Sequence, residues 1–242
     1  MLNQQADRSV RLPLRSEMTP RLLTVASLVR HGAVVADVGT DHAYLPIYLI
    51  SSGVATRAVA SDINEGPLSR AENNVRRFSM SDRIALRLTP GLEGIEAYAP
   101  TDVLICGMGG ELIASILEAA PFVQNPAIRL ILQPMTSVRE LRIWLAANGF
   151  TVSEERFAAE KEKLYVVLCA SYTGNPYELS DADSYAGCGD DQPLYGEWLR
   201  RQIAALQKQV NGLAKAGREE PLLNALVASL QARLGAHERS LS

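Results

Sequence analysis

Residues 34–49, VVADVGTDHAYLPIYL, decide how the chain is read. The segment opens as an apolar run suited to a strand covered on both faces. It closes as an apolar stretch of helix. Between them lies a turn carrying Asp37, Gly39, Thr40, Asp41, His42 and Tyr44. Glycine at position 39 lets the backbone pass close to a ligand. A helix starting near His42 points its free N–H groups into the same space. Two carboxylates and an imidazole at such a turn ask what ligand they serve.

Working outward, strand and helix alternate. Upstream, TPRLLTVASLVRHG (19–32) reads as a helix, with Thr19 as cap, Pro20 in the first helical position and Gly32 as stop. Downstream, RAVASDIN (57–64) is a strand, GPLSRAENNVRRF (66–78) a helix and RIALRL (83–88) a strand. TDVLICGMGG (101–110) is a strand with glycine punctuation, ELIASILEAA (111–120) a helix and IRLILQP (128–134) a strand. SVRELRIWLAANG (137–149) carries a capping box, Ser137 with Glu140, and a Gly149 stop. Residues 150–172 then give two strands in succession, an antiparallel hairpin. The expected fold is α/β: a seven-stranded, mostly parallel, Rossmann-like sheet with helices on both faces and an antiparallel terminal hairpin. Such an ending is the habit of class I S-adenosylmethionine methyltransferases.

The texture changes after Tyr172. Residues 173–193 are rich in Gly, Asp, Ser and Pro and read as a linker or partly ordered loop. Leu199, Ile203, Leu206, Val210 and Leu213 then recur at spacings of four and three, Gly217 and Pro221 interrupt, and Leu223, Val227, Leu230 and Leu234 resume. This is a coiled-coil-like seam on two helices, an antiparallel helical hairpin. The expected division is a cofactor-binding catalytic unit at 1–175, a linker at 176–194 and the hairpin at 195–242. Self-packing, dimerisation and substrate binding are all open for the hairpin. Arg200, Arg201, Lys208, Lys215 and Arg218 would give it a basic stripe, though charged outer faces are ordinarily just solvated.

Bulk properties narrow the classes. The chain has 242 residues, 47% of them hydrophobic, and a net charge of -3, so overall charge supplies no nucleic-acid footprint. A local basic patch stays open. No apolar run reaches about 18 residues, so no membrane span is expected. The first 18 residues lack the apolar core of a secretory signal. Cys106, Cys169 and Cys188 are far apart and odd in number, as free thiols in a reducing cytoplasm would be. No His, Cys and carboxylate set has ligand spacing, so no metal is expected. His31 beside Gly32 reads as structural, and His237 near the chain end as incidental.

In an open parallel sheet, ligands bind beyond the carboxyl ends of the strands. Asp62 ends the second strand, where an acidic side chain accepts two ribose hydroxyls. A dinucleotide fingerprint needs G-x-G-x-x-G. Here Gly39-Thr40-Asp41-His42-Ala43-Tyr44 lacks the second and third glycines, and Asp41 would repel a pyrophosphate. S-adenosylmethionine has no phosphate and is cationic, which suits Asp37 and Asp41. A dehydrogenase is therefore a distant alternative.

The motifs DVGTDHAYLPIYL, ASDINEGPLSRAENN, ICGMGGELI, LILQP and ELRIWLAANGF, in this order across about 21–172, resemble the bacterial tRNA (adenine(22)-N1)-methyltransferase family. The resemblance implies methyl transfer from S-adenosylmethionine to N1 of an adenine in tRNA. It implies cofactor contacts at Asp37, Gly39, Thr40, Asp41, Asp62, Ile63, Asn64, Gly91 and Leu92. It places Asp41, His42, Tyr44, Gly107, Met108 and Gly109 around the target base. Asp41 is the candidate for stabilising the cationic product, unless it only caps the helix. His42 and Tyr44 would stack on the base or hydrogen-bond it. Two departures stand out: Leu88-Thr89-Pro90-Gly91-Leu92 replaces a Gly-Asp/Asn-Gly-Leu run, and Met135 follows LQP where Asn is common. The partner implied is tRNA in the cytoplasm, with no membrane, and the chain a monomer or weak dimer. The competing readings are a methyltransferase for another RNA site or a small molecule, and an RNA-binding protein with a degenerate cofactor pocket.

Overall fold

In the computed structural model, which describes residues 17–218 and 220–241, every strand expected from the pattern is present. β1 (Ala33–Val38), β2 (Ala55–Asp62), β3 (Ile84–Leu88), β4 (Asp102–Gly109), β5 (Arg129–Thr136), β6 (Phe150–Glu160) and β7 (Lys163–Tyr172) form one sheet. Their order is β3-β2-β1-β4-β5-β7-β6. The first five are parallel, and β7 pairs antiparallel with both β5 and β6. The chain winds outward from β1 to β3, then returns to lay β4 beside β1. That reversal opens a crevice at the carboxyl ends of β1 and β4. The N-terminal stretch considered for a targeting signal falls mostly outside the described residues.

Alternation along the strands feeds two cores. Val35, Leu104, Ile131 and Val167 face one layer. It is formed by α1 (Pro20–Ala26), α2 (Tyr44–Ser51) and α3 (Glu65–Arg77). Ala36, Val103, Ile105, Leu130, Leu132 and Leu168 face the other. There lie α4 (Gly110–Glu118), α5 (Val138–Ala147), α6 (Asp181–Ala186) and the long pair α7 (Tyr195–Lys215) and α8 (Pro221–Ser240). Among the described residues no helix is long and apolar enough to cross a membrane.

Several local features differ from the expectation. Thr19 does cap α1, but the helix stops at Ala26 rather than running to Gly32. The Arg30 N–H donates to Asp102 Oδ2 at 2.9 Å, and its guanidinium meets the same carboxylate, Nε to Oδ1 at 2.8 Å. A buried carboxylate on β4 thus takes the bond that another helical turn would need. The capping box is absent too: Ser137 is left-handed (φ 52) and its hydroxyl caps nothing. Within the 176–194 segment lies α6, capped by the Ser180 hydroxyl. Arg142 pairs with Glu155 through two 2.7 Å bonds and donates to the Ser184 carbonyl at 2.9 Å. Its guanidinium also lies over Trp198 of α7 at 5.4 Å. Burying a charge is costly unless it is paired and hydrogen-bonded, and this one is. The base of the hairpin therefore shares the sheet's core. His237 belongs to it: the ring is buried edge-on against Tyr195 at 5.2 Å, not frayed.

Candidate active site

Four turns meet at the crevice. At the end of β1, Asp37 is buried and its Oδ2 accepts from the Thr40 hydroxyl at 2.6 Å. Burial pushes its carboxyl up from 3.8 to about 6, against the Thr40 bond and with help from the charge of Asp62. The N–H groups of Gly39 and Thr40 both donate to the Ser61 carbonyl at 2.9 Å, fixing the turn against β2. Gly39 is left-handed (φ +70), and a Cβ there would stand 2.4 Å from the Met108 methyl. The first and fourth strand ends thus touch.

Beyond β2, Asp62 is 8% exposed. Its Oδ1 accepts the Asn64 N–H at 2.9 Å and its Oδ2 the Asp41 N–H at 3.4 Å. Two backbone donors aim this carboxylate. Beside it Ile63 is 67% exposed, a large apolar side chain with no cover.

Asp41 does not cap α2. That helix begins at Tyr44 rather than near His42, and its N-cap is Ala43, left-handed (φ 56), with no side-chain cap. The Asp41 carboxylate instead pairs with Arg70 of α3 at 2.9 Å and lies 3.4 Å from His42 Nε2. Asp41 is itself left-handed (φ 51). Two non-glycine residues in this region within three positions hold about 1–2 kcal/mol of strain each, a cost that clusters at functional turns. His42 and Tyr44 stack on each other, centroids 5.2 Å apart and planes 13° apart. Asn74 holds the turn from α3, donating to the His42 carbonyl at 2.9 Å.

After β3, the Thr89 N–H donates to the Asp62 carbonyl at 3.0 Å, so the departing Thr89-Pro90 run keeps the turn in place. Gly91 is left-handed (φ +55) and its carbonyl accepts from the Ser61 hydroxyl at 3.3 Å. Leu92 is buried and packs in the core, so only its backbone can serve a ligand. A groove of about 670 Å³ runs between this turn and α4, lined by Pro90, Gly91, Ser115, Ile116 and Phe122.

At the end of β4, where its register with β5 shifts, Gly107 is left-handed (φ +78), and a Cβ on Gly110 just beyond would stand 2.2 Å from the Ser137 carbonyl oxygen. The Gly107 N–H donates to Gln133 Oε1 at 3.1 Å, and Arg21 Nη1 reaches the same oxygen at 2.6 Å. Sequence reasoning missed Arg21, Arg70, Asn74 and Gln133. For Gln133 a signal existed, an amide closing an otherwise apolar strand.

The donor set fits a cationic nucleoside. Asp62, held by two backbone donors, could take a ribose, Ile63 stands bare beside it, Met108 packs against Gly39, and Asp37 and Asp41 add two more carboxylates. Three carboxylates disfavour a pyrophosphate. Among the described residues no His, Cys, Asp and Glu cluster has metal-site geometry.

The family model described as "Methyltransferase domain" matches residues 18–168. The tRNA (adenine(22)-N(1))-methyltransferase of Bacillus subtilis is 39% identical over 154 residues, which span 64% of this chain and 65% of that protein. The crystal structure of the B. subtilis M1A22 tRNA methyltransferase TrmK superposes with a TM-score of 0.73 at 29% identity, covering 93% of this chain and 98% of that one. M. capricolum TrmK, solved with its cofactor product S-adenosyl-homocysteine, gives 0.68 at 29% identity, over 91% and 96%. A Streptococcus pneumoniae "putative tRNA (m1A22) methyltransferase", solved with S-adenosyl-L-methionine, is 32% identical over 90% of this chain and 99% of that one, with a TM-score of 0.78. With this crevice at the switch point, the methyltransferase-domain match and that relative, the chain belongs to the class I S-adenosylmethionine-dependent methyltransferases, in the TrmK-like tRNA (adenine(22)-N1)-methyltransferase family.

Proposed function

We propose that the chain methylates N1 of an adenine in tRNA, position 22 being the target, with S-adenosylmethionine as donor. The observation that carries this is the convergence of Gly39, Asp62 and the Gly107–Gly110 turn on one crevice in a chain of this family. When bound, S-adenosylmethionine supplies an electrophilic methyl group on a sulfonium. The chain's own residues do the rest. Asp62 accepts the ribose hydroxyls, and the backbone at Ile63, Asn64, Gly91 and Leu92 frames the base. Asp37, Thr40 and Asp41 hold the cationic end. Gly107, Met108 and Gly109 leave room for the plane of the acceptor adenine.

N1 carries its lone pair in the ring plane, so no base is needed before attack. Orientation of the two reactants supplies about 7–11 kcal/mol of the barrier. The product is cationic, and the Asp41 carboxylate at the rim stabilises charge as it develops. N1 sits on the pairing edge of adenine, so the base must leave its stack first. The stacked His42–Tyr44 pair is a ready platform for it. The proposed division is a catalytic unit at 1–175, a connecting segment at 176–194 and a hairpin at 195–242 that meets either tRNA or another subunit, in a cytoplasmic monomer or weak dimer.

The test is methyl incorporation from labelled S-adenosylmethionine into unmodified tRNA transcripts with and without adenine at position 22. Label confined to the adenine-bearing transcript, mapped to N1, is expected. Label in both, or in neither while the cofactor still binds, overturns the assignment of the target.

A further inference from the structure

Gln133 closes the apolar run Leu130-Ile131-Leu132 of β5 and is completely buried. A buried primary amide is destabilising unless its groups are bonded. Here all are. Oε1 accepts from Gly107 N–H and from Arg21 Nη1. Nε2 donates to the Pro134 carbonyl at 2.8 Å and lies 3.6 Å from the Met135 sulfur. Leucine or methionine would fill the same volume, so what the amide adds is direction.

That direction ends on Gly107, the left-handed residue that opens the acceptor turn. Its neighbour Met108 carries the methyl that lies against Gly39. Arg21 reaches this point from α1, 112 residues away in sequence. Its guanidinium lies over the Tyr165 ring of β7 at 5.6 Å, and its Nε stands 4.0 Å from Glu160 of β6. The 2.6 Å bond to Gln133 is charge-assisted, the stronger class of hydrogen bond. Elements from three parts of the chain thus converge on one peptide N–H at the mouth of the crevice.

We propose that Arg21 and Gln133 are a pair of positioning residues that set the Gly107–Met108 turn, and through it the approach of the acceptor base to the methyl donor. Neither touches the reacting atoms, and the role presupposes the methyl-transfer reading above. Misplacement of reactants by about 1 Å can cost 100-fold in rate. Gln133→Met, which keeps the volume and loses the amide, lowers kcat about 10- to 100-fold. KM for tRNA and Kd for S-adenosylmethionine stay within about twofold. Arg21→Met does the same, Arg21→Lys recovers part of the loss, and the double variant is no slower than the worse single, as for residues acting as one unit.

A second measurement is independent of turnover. Hydrogen exchange of the Gly107 amide in the full-length, ligand-free chain is faster in both methionine variants than in the wild type. Should Gln133→Met fail to fold, Arg21→Met, whose site lies nearer the surface, carries both measurements. Unchanged exchange overturns the clamp. Faster exchange with wild-type kcat overturns its role in positioning. If the wild type methylates no tRNA, the functional reading fails, and the exchange data still decide whether the clamp exists.

Discussion

Asp37 should make cofactor affinity depend on pH in a defined direction. Burial raises its carboxyl from 3.8 to about 6 in the folded chain. Between those values the folded state keeps a proton that the unfolded state has released. Its contribution to stability is therefore fullest below 3.8 and falls as pH rises, by about 1.4 kcal/mol per pH unit, levelling off above about 6. The total is about 3 kcal/mol of destabilisation carried by the ligand-free chain at neutral pH. A cationic ligand reverses the balance, because it binds the ionised carboxylate. If only that form binds, Kd at pH 5 is about tenfold weaker than at pH 7, since about one molecule in eleven is then ionised. Isothermal titration of S-adenosylmethionine across pH 5–7 measures this directly. Asp37→Asn keeps an acceptor for the Thr40 hydroxyl and removes the titration. That variant should bind at least tenfold more weakly at pH 7 and lose the Asp37 component of the pH slope. By urea unfolding at pH 8 it should be about 1–3 kcal/mol more stable than the wild type. An equal pH slope in wild type and Asn variant, or a variant less stable at pH 8, refutes the argument.

Other substitutions probe the remaining turns. Asp62→Ala should weaken cofactor binding at least tenfold by calorimetry while the melting temperature changes little; unchanged affinity would mean that no ribose lies there. Asp41→Ala should lower kcat more than it changes cofactor Kd. Its exposed pair with Arg70 carries little stability, so wild-type values for both would leave it as a rim contact only. Gly39→Ala should fold with a loss of about 1–2 kcal/mol, from a left-handed alanine and a displaced Met108. It should bind cofactor more than tenfold more weakly; intact affinity argues against close approach at this turn. Arg142→Met leaves the Glu155 carboxylate buried without its partner and should cost about 3–5 kcal/mol in urea unfolding, with a loss under 1 kcal/mol contradicting the buried pair.

The sheet was legible because β1, β4 and β5 are apolar on both faces and the ends of β1 and β4 carry glycine. Asp37, Gly39 and Asp62 could be placed because a parallel strand's last residue has only one place to be. What stayed hidden depends on partners far away in sequence. The end of α1 is set by Asp102, 72 residues on from Arg30. Ser137 looked like a cap, but its peptide lies where any side chain on Gly110 would clash, and the turn closes left-handed. Asp41 resembled a cap for the same local reason and was claimed instead by Arg70. Arg21 gave no sign from its neighbours that it reaches Gln133. Local pattern predicts local hydrogen bonds, and these four features are set by tertiary contacts: three hydrogen bonds and one close backbone approach.

The shared footing of the helical hairpin governs how the chain can be dissected. Trp198, Leu199 and Leu206 of one arm and Val227 and Leu230 of the other lie in the same core as β4 and β5. Truncation near residue 175 would strip the cover from Phe157 and leave Arg142 without Ser184 and Trp198. A loss of activity in such a fragment would report collapse rather than a missing RNA grip. Shortening the hairpin beyond Leu206 and Val227, with the arms rejoined by a turn, separates the two, because the foundation stays while only the outer part of the arms is removed.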